Sequence, residues 1–211
     1  PAMIVINKLD RDRADFHMAF DGLAALGVKP VALQVPIRRG ETFVGVVDVL
    51  TGKARMFAEN GGSSEAEIPA DLTDDVSLLR DVTVENIAES DEVLMEKYLE
   101  EGSLSLEDLQ FGLRKGVLSG ELTPVMVCSA LENKGGKAVL DAVEALLPSP
   151  LERPAFVDAA GAERAPDPDG PVACFVFKTL ADPFAGQLSI LRVLSGTING
   201  DATLRNMRSE D

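Results

Sequence analysis

The sequence predicts an α/β fold in which a parallel sheet is interrupted by an inserted α+β subdomain and followed by the first strands of a β-barrel or sandwich. Three observations lead to this prediction. An apolar run, a polar turn and a helical pattern open the chain at residues 2–26, and the same order returns at residues 124–147. The stretch between them has a different character. After a proline-rich segment the pattern becomes strand-like.

The opening unit is typical of parallel α/β structure. Residues 2–6 are apolar throughout, which predicts a fully buried strand. Helical spacing of apolar side chains predicts a helix over residues 13–26, and Gly27 stands where a C-terminal cap belongs. Three short β-branched runs divided by glycine-containing turns then predict an antiparallel meander. These runs are residues 31–37, 43–50 and 53–57.

The middle of the chain returns to helical periodicity. Three helices are predicted, and Ser105 with Asp108 forms a capping-box-like start for the third. They hold residues 72–83, 93–99 and 109–117. A second buried strand and a second helix follow, and residues 148–171 have the composition of a linker. Strands are then predicted at residues 172–179, 187–195 and 202–204, with turns at Asp182-Pro183 and Asn199-Gly200.

Composition limits the classes of function. With 211 residues, 45% of them apolar, the chain can bury real cores as one large domain or two modest ones. Its 35 acidic and 20 basic residues give a net charge of −15, which opposes broad contact with nucleic acid phosphates and favours protein partners. Cys128 and Cys174 lie inside apolar runs, which predicts buried free thiols of a cytoplasmic protein rather than disulfide or zinc ligands.

The two ends of the chain and its apolar runs bear on where the protein is found. No stretch approaches the roughly 20 consecutive apolar residues of a membrane span, and no charged leader precedes an apolar region. We therefore expect a soluble, unsecreted protein without a membrane partner. The chain begins in a strand without an initiating Met and stops in a strand-rich region, so we expect a piece of a longer protein.

Asn7-Lys8-Leu9-Asp10 follows the first strand and is the most informative motif. An N-K-x-D tetrapeptide after a buried strand is the guanine-reading element of GTP-binding proteins. Guanine presents two adjacent N–H donors that one ionised carboxylate, Asp10, accepts side by side, whereas adenine offers a lone pair at N1. The Lys8 stem is suited to lie along the base plane, and the Asn7 amide both donates and accepts. The competing interpretation makes Asn7 and Asp10 ordinary turn and helix-capping residues.

Six segments spread along the chain carry a family resemblance. They are Asn7-Lys8-Leu9-Asp10-Arg11, Phe43-Val44-Gly45-Val46-Val47-Asp48, residues 88–99, Cys128-Ser129-Ala130, Leu147-Pro148-Ser149-Pro150 and Asp182-Pro183-Phe184-Ala185-Gly186. These segments occur in the order typical of translation elongation factor G, which the chain resembles over essentially its whole length. Thr51-Gly52-Lys53-Ala54 is more similar to elongation-factor-G-like paralogues than to the housekeeping factor.

The resemblance implies a P-loop-GTPase-type sheet of which only the C-terminal half is present. It assigns residues to the GTPase domain, to an inserted G-prime-like subdomain, to a linker and to a truncated β-barrel domain II. The implied boundaries are 1–29 for the guanine-motif strand and helix, 30–121 for the insertion, 122–149 for the last strand and helix of the GTPase domain, 150–171 for the linker and 172–211 for domain II. A barrel with so few strands is expected to expose Phe175, Phe177 and Leu191, and to leave its edge disordered or paired between copies.

The resemblance also implies a binding site for the guanine end of GTP or GDP. Asn7, Lys8 and Asp10 match the guanine motif, and Ser129-Ala130-Leu131 matches the later loop. In that loop the Ala130 N–H would donate to guanine O6, and Ser129 would brace Asp10. The chain departs from the family pattern in two places. Cys128 stands where glycine is usual, and Leu131 stands where many GTPases have lysine.

A G-x-x-x-x-G-K-[ST] phosphate loop is absent from the sequence. Gly52-Lys53 and Gly136-Lys137 are each followed by alanine, so neither places a hydroxyl for Mg²⁺. Asp167-Pro168-Asp169-Gly170 is predicted to be a turn, and His17 a surface or half-buried helix residue. The sequence thus offers no catalytic residue and no Mg²⁺ ligand, which would belong to the parent protein. We expect no GTP hydrolysis and at best very weak guanine-nucleotide binding.

The resemblance implies the ribosome as partner. Acidic helices containing Glu92, Glu96 and Glu100 would meet the stalk protein of the large subunit, although a solvated acidic face is an alternative. The loop at residues 182–186 would lie near ribosomal RNA, or be simply structural. The implied function is that of an elongation factor coupling GTP hydrolysis to ribosomal translocation. The alternatives are a paralogue in ribosome protection or recycling, and a non-enzymatic ribosomal-protein-binding module.

Overall fold

The computed structural model describes residues 1–58, 62–158, 161–184 and 186–207. The chain divides into two compact units, Pro1–Leu147 and Pro148–Asp211. Among the described residues, no helix combines the length and apolarity needed to span a lipid bilayer.

The first unit is a mixed α/β structure. Its elements, in chain order, are β1 (Ile4–Ile6), α1 (Phe16–Asp21), β2 (Pro30–Ala32), β3 (Gln34–Arg39), β4 (Thr42–Asp48), β5 (Lys53–Phe57), β6 (Ser63–Ala66), α2 (Thr73–Glu89), α3 (Glu92–Glu101), α4 (Leu106–Ser119), β7 (Thr123–Val127) and α5 (Gly136–Leu146). Short 3-10 turns occupy Gly22–Leu26 and Ala70–Leu72.

A three-stranded parallel sheet in the order β1-β7-β2 forms the centre of this unit. Val125 on β7 pairs with Ile4 on one side and Ala32 on the other. All five β7 residues are buried because strands flank β7 on both sides and other elements cover both faces. The predicted parallel strands are therefore present and adjacent.

Two hydrophobic clusters cover the two faces of this sheet. Val127 contributes to a cluster that includes Phe43 and other side chains of the antiparallel strands, while its neighbour Met126 contributes to a cluster formed mainly with helix residues. Successive residues of a strand point to opposite faces, so β7 joins both clusters. The second cluster contains Ile87 from α2 and Leu113 from α4. The sheet is the middle layer of the unit.

The antiparallel sheet has four strands in the order β3-β4-β5-β6. The predicted meander is confirmed for β3, β4 and β5, with Val35 paired to Val47 and Val47 paired to Ala54. The fourth strand, β6, was not predicted because its sequence, Ser63 to Ala66, is short and polar. The predicted run at 31–37 is divided. β2 joins the parallel sheet, and β3 joins the antiparallel one.

The helices follow the predicted pattern, and α4 follows it most closely. The Ser105 side chain accepts from the Asp108 N–H and the Asp108 carboxylate accepts from the Ser105 N–H, so the predicted capping box is present. Gly112 on α4 allows close packing. A Cβ there would lie 2.5 Å from Leu94 Cδ1 and 2.7 Å from Ile87 Cγ2.

Two predictions about the opening of the chain are corrected. β1 spans three residues that are only half-buried, not a fully buried strand, because it pairs with β7 alone. The helix predicted over 13–26 is a short α-helix capped by Asp15, followed by a 3-10 turn that ends at Gly27 with φ +69°. Asp15 accepts from the Met18 N–H and so sets the later start.

The second unit contains β8 (Phe156–Val157), β9 (Glu163–Arg164), β10 (Ala173–Asp182) and β11 (Gly186–Ser195), with a 3-10 turn at Pro150–Glu152. β10 and β11 form an antiparallel ribbon, and the described residues of the unit contain no closed barrel. The segment predicted as linker holds the short β8–β9 pair. Residues 202–204, predicted as a strand, have no strand partner and are not one.

Other predictions for the second unit fall on described residues. Asp167 to Gly170 is a turn, as predicted, with the Asp169 N–H donating to Asp167 Oδ1 at 3.0 Å. Phe175 and Phe177 are 60% and 57% exposed, as predicted, while Leu191 is half-buried. Cys174 is half-buried rather than buried. Within the loop at 182–186, Ala185 lies outside the described residues.

Candidate functional site

The two predicted site loops meet at one edge of the parallel sheet. β1 ends at Ile6 and β7 ends at Val127, and these two residues are partners in the parallel register. Residues 7–10 and 128–131 follow the two strands directly. Because neighbouring parallel strands end at the same edge, the loops that follow them lie side by side.

Asn7 joins the two loops. Its side-chain oxygen Oδ1 accepts the Lys8 N–H at 2.7 Å and the Ala130 N–H at 3.0 Å. The Cys128 thiol lies 3.4 Å from the same oxygen and donates to it. Ala130 is the residue expected to donate to guanine O6. With its N–H directed to Asn7, O6 would have to share that donor as a second acceptor.

Asp10 and Ser129 are in direct contact, as the resemblance implied. The Ser129 hydroxyl donates to Asp10 Oδ1 at 2.6 Å, a length typical of a charge-assisted bond. The side chain of Asp10 is 8% exposed, and the Arg11 guanidinium lies 3.7 Å from its other oxygen, Oδ2. The Ser129 hydrogen bond is the main cause that lowers the pKa of Asp10, and Arg11 and Lys134 add to it against the opposing effect of burial. The carboxylate is therefore ionised at neutral pH and held in one orientation.

Ser129 is fixed by its own loop. It is fully buried, and its hydroxyl accepts the Glu132 N–H at 3.2 Å while donating to Asp10. Its backbone exchanges hydrogen bonds with Lys134 at 2.9 and 3.0 Å. Gly135 closes the loop at φ +79°, where a Cβ would lie 2.7 Å from the Val127 carbonyl oxygen. This position therefore needs glycine for its backbone angle and for space.

The first loop is anchored by Leu9, whose side chain is 1% exposed and belongs to the cluster under the antiparallel sheet. Lys8 precedes it at φ +65°, an uncommon backbone angle for a residue with a side chain. Lys8 and Asn7 are exposed, so both remain available to a ligand. In the second loop Leu131 is 79% exposed, and its side chain faces solvent.

Cys128 follows β7 directly and precedes Ser129 in the second loop. It is 6% exposed, and burial raises the pKa of its thiol. The thiol therefore stays protonated and donates to Asn7 Oδ1. This hydrogen bond adds a contact between the two loops.

Two cationic side chains that the sequence did not predict as part of the site hold the loops through hydrogen bonds to backbone carbonyls. Arg38 on β3 donates to the backbone carbonyls of Ala14 and Arg11, and Lys134 donates to the carbonyl of Phe43 on β4 at 2.9 Å. Both contacts join segments far apart in sequence. No sequence motif predicts these contacts, because every residue has a backbone carbonyl and the acceptor can therefore be of any type.

The two Gly-Lys pairs have structural roles. Gly52 lies in the turn between β4 and β5, where its N–H donates to the Asp48 carbonyl, and Lys53 pairs with Glu65 at 2.9 Å. Gly136 is the first residue of α5, and Lys137 pairs with Asp141 at 2.8 Å. Within the described residues, no three His, Cys, Asp or Glu side chains are grouped to hold a metal ion.

His17 lies on α1, as predicted, with its side chain 55% exposed and its Nε2 atom 3.2 Å from Asp75 Oδ2. It stacks edge-on against Phe16. These contacts join α1 to α2 and give His17 a place in the fold away from the two site loops.

A second surface feature is an acidic groove on the helical side of the first unit. The groove is open to solvent and has a volume of about 470 Å³. Met95 and Leu99 supply its apolar lining. Four glutamates line it as well, namely Glu89, Glu92, Glu96 and Glu100. All four are exposed, so the predicted acidic stripe is present on the surface.

Comparison with solved structures shows a similarity that spans most of this chain. No protein-family model matches the chain. The chain is similar to a protein from Thermus thermophilus whose crystal structure is known, with 35% sequence identity and a TM-score of 0.73. The similarity covers 93% of this chain and 27% of the Thermus chain. The present chain thus spans about a quarter of the length of that protein.

Proposed function

We propose that the chain is the guanine-reading part of a GTP-binding translation elongation factor resembling elongation factor G. The observation that carries the proposal is the 2.6 Å hydrogen bond from Ser129 to Asp10, which joins residues 119 positions apart in sequence. The two loops are far apart in the sequence, yet they meet at one edge of the parallel sheet and place an ionised carboxylate there. Guanine is the base that offers two adjacent N–H donors to such a group.

The parent protein, in this proposal, couples GTP hydrolysis to the movement of the ribosome along messenger RNA in the cytoplasm. Its P-loop-GTPase-type sheet would include β1 and β7, and the β10–β11 ribbon would open its β-barrel domain. Phosphate-binding groups and the Mg²⁺ site would be supplied by other parts of the parent. The chain itself contributes base recognition through Asn7, Lys8 and Asp10 on one loop. Ser129, Ala130 and Leu131 contribute from the other.

Base selectivity tests this proposal directly. GMP and AMP are titrated into the chain while the backbone amide signals of Lys8 and Ala130 are followed by NMR. We expect GMP to shift these signals at millimolar concentrations, AMP to leave them nearly unchanged, and Asp10→Asn to remove the difference, because an amide cannot accept both donors. Equal responses to GMP and AMP in the wild-type chain would exclude guanine recognition.

A second expectation concerns the phosphates. Charge-assisted bonds to phosphates are about twice as strong as neutral ones, so a chain without a phosphate loop should bind GTP hardly better than GMP. Calorimetry is expected to give similar, weak affinities for the two nucleotides and an assay to give no GTP hydrolysis. Tight binding of GTP alone would mean that the chain carries a phosphate site of its own.

The acidic groove supports a ribosomal protein as partner, and with it the alternative that the chain acts as a binding module. Three of its glutamates follow each other at helical i, i+4 spacing, an arrangement that costs roughly 0.2–0.5 kcal/mol per like-charge pair in the isolated helix. A cationic partner would offset that repulsion. The partner proposed from the resemblance is the stalk protein of the large ribosomal subunit.

Charge reversal tests the groove. Glu92→Lys with Glu96→Lys is expected to weaken stalk-protein binding at least tenfold and to reduce its salt dependence. The matched control reverses two exposed acidic residues outside the groove, Asp81 and Glu121, and should leave binding unchanged. Binding that is equal in both double variants would make the groove a solvated face.

A further inference from the structure

The β3–β4 hairpin contacts both loops of the proposed guanine site. Arg38, near the end of β3, directs its guanidinium to three backbone carbonyls. Nη1 donates to Ala14 at 2.7 Å, and Nη2 donates to Arg11 at 3.2 Å and to Glu41 at 2.6 Å. Glu41 lies in the turn of the hairpin itself, so Arg38 ties that turn to the segment that follows Asp10.

We propose that Arg38 is a positioning residue for guanine discrimination, which it exerts by holding the turn that carries Asp10. This inference rests on the proposed function of the site. It concerns a residue outside the guanine motif, on an element of the antiparallel sheet.

The link from Arg38 to Asp10 is short. Arg38 holds the Arg11 carbonyl, the Arg11 N–H donates to the Lys8 carbonyl at 3.1 Å, and Asp10 lies inside the turn so closed. On the near side Lys8 stands at φ +65°, a backbone angle that costs free energy and that surrounding contacts must maintain. Leu9 anchors the middle of the turn through its buried side chain, and Ser129 holds the Asp10 carboxylate. Arg38 holds the far end of the turn, so its removal would loosen that end while the other contacts remain.

The second loop is tied to the same hairpin. Lys134 donates to the Phe43 carbonyl on β4 at 2.9 Å, and its backbone pairs with Ser129, which in turn contacts Asp10. The hairpin therefore fixes the carboxylate from both sides. Since Arg38 and Lys134 act on different loops, a change at Arg38 releases one side only.

Discrimination between guanine and a base that lacks its amino group depends on this rigidity more than binding affinity itself does. A carboxylate that accepts two adjacent N–H groups must meet both within about 0.5 Å and 10–20°. A base with one of those donors, as in IMP, which lacks the amino group, tolerates a tilted carboxylate. Loosening the turn should therefore reduce GMP binding much more than IMP binding.

A guanidinium suits this role because it is planar and offers five N–H donors in a fixed fork. Three carbonyl oxygens around one plane match that fork. A lysine ammonium at the same place would keep the charge but could not span the three acceptors with the same geometry.

The test compares GMP with IMP on the full chain by NMR titration. In the wild-type chain we expect GMP to bind about tenfold more tightly, as one hydrogen bond to a charged group implies. Arg38→Met keeps the aliphatic stem and is expected to bring the ratio near unity. Arg39→Met is the matched control, since Arg39 is the next residue on the strand and is exposed, and it should keep the wild-type ratio.

The outcomes separate this inference from the proposed function. A wild-type chain without preference for GMP over IMP would overturn both. A wild-type preference that persists in Arg38→Met would overturn this inference alone. If Arg38→Met does not fold, Arg38→Lys replaces it, and a folded Arg38→Lys chain with the wild-type ratio would equally overturn the role of Arg38.

Discussion

The two loops of the candidate site and the β10–β11 ribbon both lie at the protein surface, but different kinds of contact hold them in place. In the site, Ser129 donates to Asp10 and the Ala130 N–H donates to Asn7, while the buried Leu9 fixes the first loop to a core. In the ribbon the strands satisfy each other's backbone groups, while apolar side chains such as Phe175 and Phe177 stay more than half exposed.

This contrast shows where individual side chains contribute most to stability. A backbone ladder gives a ribbon its register without burying its side chains, so its apolar residues contribute little until another surface covers them. The site loops have no ladder of their own and depend on individual side chains. A substitution in the site should therefore destabilise the protein more than its matched substitution in the ribbon. Two matched pairs test this contrast, and a titration tests the site itself.

Phenylalanine truncation should give the largest difference. Phe43 is fully buried under the site, packs edge-on against Phe57 at 5.2 Å, and offers its carbonyl to Lys134. Phe43→Ala is expected to destabilise the first unit by about 3–5 kcal/mol, against about 0.5 kcal/mol or less for Phe177→Ala in the second. Urea unfolding followed by circular dichroism measures both. Similar losses in the two variants would abolish the contrast.

Substitution of glycine should give the second-largest difference in stability. Gly135 and Gly186 both have left-handed backbone angles, but different atoms surround them. Gly135 at φ +79° has the Val127 carbonyl where a Cβ would go, whereas Gly186 at φ +76° has no described atom within 4 Å. Gly135→Ala should cost about 2–4 kcal/mol and Gly186→Ala about 1–2 kcal/mol, because only the first adds a clash to the backbone strain.

Thermal unfolding of the two variants measures this difference. The Gly186→Ala value serves as the control for backbone strain alone, and the excess in Gly135→Ala reports the close approach. An equal loss in both would mean that the second loop moves to accommodate the methyl group.

Removal of the Ser129 hydroxyl should have the smallest effect on stability and the clearest effect on titration. Ser129→Ala deletes the hydrogen bond that lowers the pKa of Asp10, so that pKa should rise toward its ordinary value of 3.8. A carboxyl with a depressed folded-state pKa stabilises the fold above its unfolded pKa, and this contribution disappears as the pH falls through the folded value. The difference in unfolding free energy between the wild type and Ser129→Ala should therefore be largest at neutral pH and become smaller as the pH falls into the acid range.

Carbon-detected NMR titration of the Asp10 carboxyl measures the shift directly. Asp12 serves as an internal reference, because it is exposed and close in sequence. An unchanged Asp10 titration in Ser129→Ala would show that Arg11 and Lys134 hold the carboxylate ionised without the hydroxyl.

The sequence predicted the α/β class, the two parallel strands, the meander and most helices. Each of these elements has a regular spacing of apolar residues or a capping residue that is visible in the sequence. Ser105 with Asp108 is the clearest case, since the capping box is written in two side chains. The strand β6 and the division of residues 31–37 could not be predicted. Strand pairing there depends on which neighbour is available, and the residues themselves favour either sheet.

The site was predicted in part for the same reason. Asp10 and Ser129 belong to motifs whose side chains act directly, and the structure brings them into contact. The roles of Asn7 as a joint between loops and of Arg38 and Lys134 as tethers were missed. Their partners are backbone atoms of distant segments, which exist as neighbours only once the chain has folded.

The three donors gathered on the Asn7 side-chain oxygen have a consequence for the chemical ageing of the protein. Hydrolysis of the Asn7 side-chain amide to aspartate would leave an oxygen that still accepts from Lys8, Cys128 and Ala130. The contacts between the two loops would therefore be kept. The amide nitrogen would be lost and a second negative charge would stand near Asp10, so the charge of the site would change although its loops stayed joined.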